Sequence, residues 1–98
     1  MKAAEMFSLK DRVALVTGAS SGLGTQFAKA LADNGAAVAL VARRAGRLKA
    51  LKAEIEGKGG NAIAIEADVT DRAAMTRAFD SAEKAFGIVT ILVNNAGI

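Results

Sequence analysis

Residues 15–24 read "LVTGASSGLG". The apolar run Val13–Val16 breaks there into Thr17, followed by Gly18, Gly22 and Gly24 with Ser20 and Ser21 among them. A chain that leaves an apolar strand through glycines and hydroxyls is turning sharply, and glycine lets another backbone or a ligand approach closely. Leu23, Phe27, Leu31 and Asn34 then recur at steps of four and three, with Gly35 as a stop, so a helix follows the turn. The start of a helix offers unpaired N–H groups and the positive end of the helix dipole, both suited to a phosphate. Ser20 and Ser21 could add hydroxyl donors. The spacing G-x-x-x-G-x-G differs from the commonest dinucleotide fingerprint, G-x-G-x-x-G. Taken alone, the stretch is either a phosphate cradle or only a serine-capped turn.

The rest of the chain repeats this strand–turn–helix rhythm. Apolar runs at Val13–Val16, Val38–Val41, Ile63–Ile65 and Ile91–Val93 predict four strands. The first, second and fourth are nearly continuous, as expected for parallel strands covered on both faces, whereas the third alternates. Helical spacing follows at Leu48, Leu51 and Ile55, closed by Gly57, Gly59 and Gly60, and again at Met75, Phe79, Ala82 and Phe86, closed by Gly87. Thr70 is the expected N-cap of that third helix, with Asp71 favouring its positive end. Four strands alternating with three helices predict an α/β fold, a doubly wound parallel sheet with right-handed crossovers. In the expected strand order 3-2-1-4, the first two helices share one face and the third lies on the other. The reversal between strands 1 and 4 opens a crevice at their carboxyl ends, where ligands bind in such sheets.

Composition narrows the function. The chain has 98 residues, 52% of them hydrophobic, with no cysteine and no histidine. Disulfide and thiolate chemistry are excluded, and the commonest metal ligand and general base is missing. No metal site is expected. No apolar run, Ile88 to Val93 included, is long enough to cross a bilayer. The N-terminus "MKAAEMFSLKDR" carries Glu5 and Asp11 and makes a poor signal peptide, so a cytoplasmic location is expected. Net charge is +3, with Arg43, Arg44, Arg47, Lys49 and Lys52 close together. All four aromatic residues are Phe and none lies in that cluster, which argues against a nucleic-acid face.

The strand ends supply the next clue. Strand 2 ends "VALVARR". In a dinucleotide site an acid at this point holds the free ribose hydroxyls of NAD, and a basic residue meets the 2′-phosphate of NADP. Ala42 stands where the acid would be, and Arg43 and Arg44 follow, each able to bond a phosphate in a bidentate fashion. Their alternative reading is a pair of solvated arginines. Strand 3 ends "EADVT", where Asp68 could accept from the adenine amine and Val69 could pack on the ring; otherwise Asp68 is a loop acid or caps the next turn.

With the strand that starts at Val13, "TGASSGLG", "ARR", "DV" and "NNAG" follow in order to Gly97, and this pattern resembles the N-terminal part of the short-chain dehydrogenase/reductase family. The resemblance implies a Rossmann-type fold, an NADP(H) cofactor and hydride transfer between alcohols and ketones. It places the pyrophosphate loop on Gly18, Ser20, Ser21, Gly22, Leu23 and Gly24, and cofactor contacts on Asn95, Ala96 and Gly97, with Asn94 bracing the sheet. NADP-using members often carry a basic residue just before the second motif glycine. Ser21 stands there, so recognition of the phosphate falls to Arg43 and Arg44. The resemblance also implies a small-molecule alcohol or carbonyl substrate and a homo-oligomer.

The family's acid–base chemistry uses a Ser, a Tyr and a Lys beyond "NNAG", the last two as YxxxK. This chain has no tyrosine and ends at Ile98, so no catalytic residue is assigned. The expectation is a partial NAD(P)-binding domain over residues 1–98, inactive by itself, from a protein of greater length. Two alternatives stand beside it: a non-catalytic NADP-binding sensor on the same fold, and another βαβ nucleotide binder such as a methyltransferase. The coding sequence after Ile98 separates the first of these from the enzyme, and NADP binding separates the second.

Overall fold

The computed structural model describes residues 9–44 and 46–95. Strand β1 (Val13–Thr17) leads into helix α1 (Gly22–Asp33), and β2 (Ala37–Ala42) into α2 (Gly46–Gly57). Strand β3 (Asn61–Glu66) leads into α3 (Arg72–Phe86), and β4 (Ile91–Asn94) follows. All three strand pairings are parallel and the order is β3-β2-β1-β4, as the alternation of runs predicts. Register is staggered by the crossovers so that Thr17, Val41 and Asn94 lie side by side at the carboxyl ends.

Two apolar layers sandwich the sheet. On one face Ala28 of α1 and Leu48, Leu51 and Ile55 of α2 pack on Val16, Val38 and Leu40. On the other, Ala78 and Ala82 of α3 pack on Leu15, Ala39 and Val41. Consecutive residues of β1 and β2 therefore face opposite cores, which is why both strands read as unbroken apolar runs. Burial of the six largest enclosed side chains, Leu15, Leu40, Leu48, Val16, Val38 and Val41, contributes about 1.5–3 kcal/mol each.

Three local expectations are corrected. The buried residues of α1 are Gly24 and Ala28, with Leu31 partly buried, while Leu23 is 51% and Phe27 41% exposed. The face turned inward carries small residues: at Gly24 the helix packs on the Gly18 carbonyl with no room for a Cβ. Strand β4 is not covered on both faces: its burial alternates, and Leu92 is 56% exposed. Among the described residues it pairs with β1 alone. The N-cap of α3 is Asp71, whose carboxylate accepts from the Ala74 N–H at 3.1 Å. Thr70 instead bonds back to Asp68.

Candidate dinucleotide crevice

The turn after β1 is built on Gly18, whose φ of 62° lies in the left-handed region that a side chain disfavours. This rotation turns its carbonyl toward the incoming helix. The Gly18 oxygen accepts from the Ser21 N–H at 3.1 Å, the Ser21 hydroxyl at 2.8 Å and Asn95 Nδ2 at 3.3 Å. Gly24 packs directly on the same carbonyl, and a Cβ there would strike the Gly18 oxygen. Ala19 hooks the turn to the end of β2 through its N–H to the Val41 carbonyl, 3.2 Å.

Ser21 is the N-cap of α1 and its hydroxyl is fully engaged. It donates to Gly18, and accepts from the Gly24 N–H at 3.3 Å and from Asn95 Nδ2 at 2.8 Å. A hydroxyl has one proton to give, so the expected free donor at Ser21 is turned into its own loop. The backbone N–H groups of Gly22 and Leu23, in the first turn of α1, take no acceptor among the described residues. A Cβ built on Gly22 would meet nothing within 4 Å. Gly22 is thus a glycine that the protein's own packing does not require.

Strand β4 delivers Asn94 and Asn95 to this turn. The Thr17 hydroxyl donates to Asn94 Oδ1 at 3.1 Å and accepts from the Asn95 N–H at 3.1 Å. The bracing assigned to Asn94 is therefore shared with Asn95, whose side chain ties β4 to the glycine turn. Asn95 is 7% exposed, and its buried Oδ1 has no partner among the described residues. A buried acceptor left unpaired costs about 1–3 kcal/mol, so this atom calls for a donor from elsewhere. Ala96 and Gly97 lie outside the described residues.

A groove of about 880 Å³ runs across the carboxyl ends of β1, β2 and β3. Gly18 and Ser20 form one wall, Arg43, Arg44 and Arg47 another, with Val69 at the far end. Ala42 lines the floor and contributes no acid. Arg47, in sequence only one member of the basic cluster, joins the lining of the groove. Its place four positions after Arg43, in the first turn of α2, was the available signal. Asp68 lies beside this groove with Oδ1 accepting from Thr70 N–H at 2.9 Å and Thr70 Oγ1 at 2.7 Å. Its Oδ2 faces Arg43 Nε at 3.7 Å. The Thr70 N–H, then its hydroxyl, and by a smaller share the Arg43 guanidinium hold the Asp68 carboxyl below its ordinary value. A smaller cleft of about 290 Å³, crossed by the Lys29–Glu54 pair at 3.1 Å, lies at the opposite ends of the strands and shares no residue with this crevice.

The donor set fits a dinucleotide phosphate chain: unclaimed helix N–H groups, open space over a glycine, and three arginines on the adjoining wall. Comparisons with known proteins point the same way. Residues 12–98 match the family model described as short chain dehydrogenase. A short chain dehydrogenase of Pseudocercospora fijiensis is 46% identical over 90 residues, covering 92% of this chain and 29% of that protein. A short-chain type dehydrogenase/reductase from Mycobacterium marinum superposes with a TM-score of 0.91 at 40% identity, over 100% of this chain and 40% of its own. A short chain dehydrogenase from Burkholderia cenocepacia, solved in complex with NADP, superposes with a TM-score of 0.86 at 48% identity, over 92% of this chain and 37% of its own. The chain thus spans between 29% and 40% of the length of these proteins.

Proposed function

The chain belongs to the short-chain dehydrogenase family, and from that premise we propose that it forms the adenosine and pyrophosphate half of an NADP(H) site. The protein carrying it is then an oxidoreductase that moves a hydride between this cofactor and an alcohol or ketone. The observation that carries the reading is the groove itself. Its walls join the glycine turn to Arg43, Arg44 and Arg47, and its floor has Ala42 where an acid would select NAD.

In this reading the N–H groups of Gly22 and Leu23 hold the pyrophosphate at the positive end of α1. Gly18 and Gly24 keep the turn tight enough for that approach, with Ser20 at its lip and Ser21 shaping it. Arg43 and Arg44 take the 2′-phosphate, and Asp68 and Val69 border the adenine. Asn95 contacts the adenosine half of the cofactor. The cofactor supplies the hydride; these residues bind and orient it, and none of them moves the substrate proton.

The test is the affinity of the full-length protein for NADP and for NAD before and after Arg43→Ala. A charge-assisted bond to phosphate is worth about 1.5–3 kcal/mol, so NADP binding should weaken roughly tenfold or more while NAD changes little. Equal loss of both, or loss of neither, rejects the 2′-phosphate assignment.

A further inference from the structure

Arg43 must do two things to recognise a phosphate from a strand end. It must stay at the groove, and it must leave its two terminal amino groups for the ligand. Its side chain is 80% exposed and, among the described residues, no hydrogen bond holds it. A long side chain this free gives up much rotamer entropy when a ligand pins it. Among the described residues the charged group paired with it is Asp68, and the nitrogen facing the carboxylate is Nε.

Asp68 is itself fixed. The Thr70 N–H and hydroxyl both bind Oδ1, which sets the plane of the carboxylate and leaves Oδ2 toward Arg43. Thr70 is in turn anchored where the chain enters α3: Asp71 donates its N–H to the Asp68 carbonyl at 3.0 Å and caps the helix. Asp68, its carboxyl held below the ordinary value by the Thr70 contacts, is ionised throughout the neutral range. A chain of contacts therefore runs from the start of α3 through Thr70 and Asp68 to the guanidinium.

We infer that Asp68 is a positioning residue for 2′-phosphate recognition: its carboxylate, pinned by Thr70, steers Arg43 through Nε and leaves both terminal amino groups for the phosphate. This rests on the reading of the crevice as an NADP site and adds a second task to Asp68 beyond bordering adenine. An exposed ion pair at 3.7 Å adds little to stability. Its effect is on where Arg43 points, and hence on discrimination between phosphorylated and free ribose.

The experiment uses two cofactor fragments without nicotinamide, adenosine 2′,5′-bisphosphate and adenosine 5′-monophosphate, titrated calorimetrically into the full-length protein. The readout is the ratio of their dissociation constants. Asp68→Asn keeps a side-chain oxygen for Thr70, because Asn supports the same turn, and loses the charge that attracts Arg43. The bisphosphate should weaken roughly three- to tenfold more than the monophosphate, a share of the effect of a charge-assisted bond. Thr70→Val, which frees the carboxylate, should shift the ratio in the same direction. In an Arg43→Ala background Asp68→Asn should leave the ratio unmoved, since there is nothing left to steer.

Equal weakening of both fragments by Asp68→Asn assigns Asp68 to adenine alone and overturns the inference. A gain in bisphosphate affinity means that Asp68 repels the phosphate and overturns it as well. If Arg43→Ala by itself leaves the ratio unchanged, the 2′-phosphate reading fails first and the inference falls with it.

Discussion

Asn95 Nδ2 lies 2.8 Å from Ser21 Oγ and 3.3 Å from the Gly18 carbonyl oxygen, so the end of β4 clamps the turn that follows β1. These residues are joined only by the fold. The amide supplies the second proton that the Ser21 oxygen accepts, the first coming from the Gly24 N–H. Ser21→Ala removes a helix cap and strips a partner from Gly24, Asn95 and Gly18 together. Chemical denaturation of the full-length protein should show a loss of about 1–3 kcal/mol. A change below measurement error would mean that the clamp does not hold the turn.

The two later glycines of the turn should behave in opposite ways. Gly24→Ala drives a Cβ into the Gly18 carbonyl and against Asn95, and should cost about 1–3 kcal/mol, read as a lowered thermal midpoint. Gly22→Ala meets no protein atom, and at a helix start it should leave the midpoint unchanged or raise it slightly. Its effect should appear in cofactor affinity, since the space over Gly22 is where the pyrophosphate is proposed to lie. Unchanged affinity would remove Gly22 from the cradle.

The Asp68 carboxyl should titrate below its ordinary value of 3.8, observable by carboxyl-carbon NMR. Because its charged form is favoured in the folded state, the associated stability is complete above the unfolded value and is lost as pH falls through the folded one. Asp68→Asn should therefore flatten the acid limb of the stability profile below about pH 4, while the profile stays as flat across the neutral region as before. A midpoint at or above 3.8 would contradict the Thr70 contacts.

A polypeptide of residues 1–98 alone should self-associate. Its β4 edge carries Leu92, and Leu23, Phe27 and Ile88 are also exposed. An apolar strand edge with one unpaired side recruits other strands. Leu92→Lys should reduce the association seen by size-exclusion chromatography with light scattering. A monodisperse monomer before substitution would show that this edge is harmless.

The order of elements, the parallel sheet and the arginine-bearing end of strand 2 are legible in the local sequence. Buried parallel strands must be continuously apolar, and helices must place an apolar residue every three or four positions. The inward face of α1 is not legible from Leu23 and Phe27, because the helix meets the Gly18 carbonyl through Gly24 and buries Ala28, while the larger residues stay exposed. The cap at Asp71 was missed by one position, a difference that rests on a single carboxylate–amide bond.

Sequence by itself determined that strand 1 turns through glycines into a helix, that strand 2 ends without an acid and with arginines, and that strands and helices alternate. These are properties of neighbours along the chain, where backbone freedom, periodicity and side-chain type act over a few residues. Which atoms those residues commit to one another follows from the folded arrangement. It turned Ser21 inward to Gly18, moved Asn95 into the clamp, added Arg47 to the groove wall and set Asp68 against Arg43. Each of these depends on parallel crossovers bringing separate strand ends to one edge of the sheet. Hydrogen-bond and charge geometry at that edge is fixed by register, which no local pattern encodes.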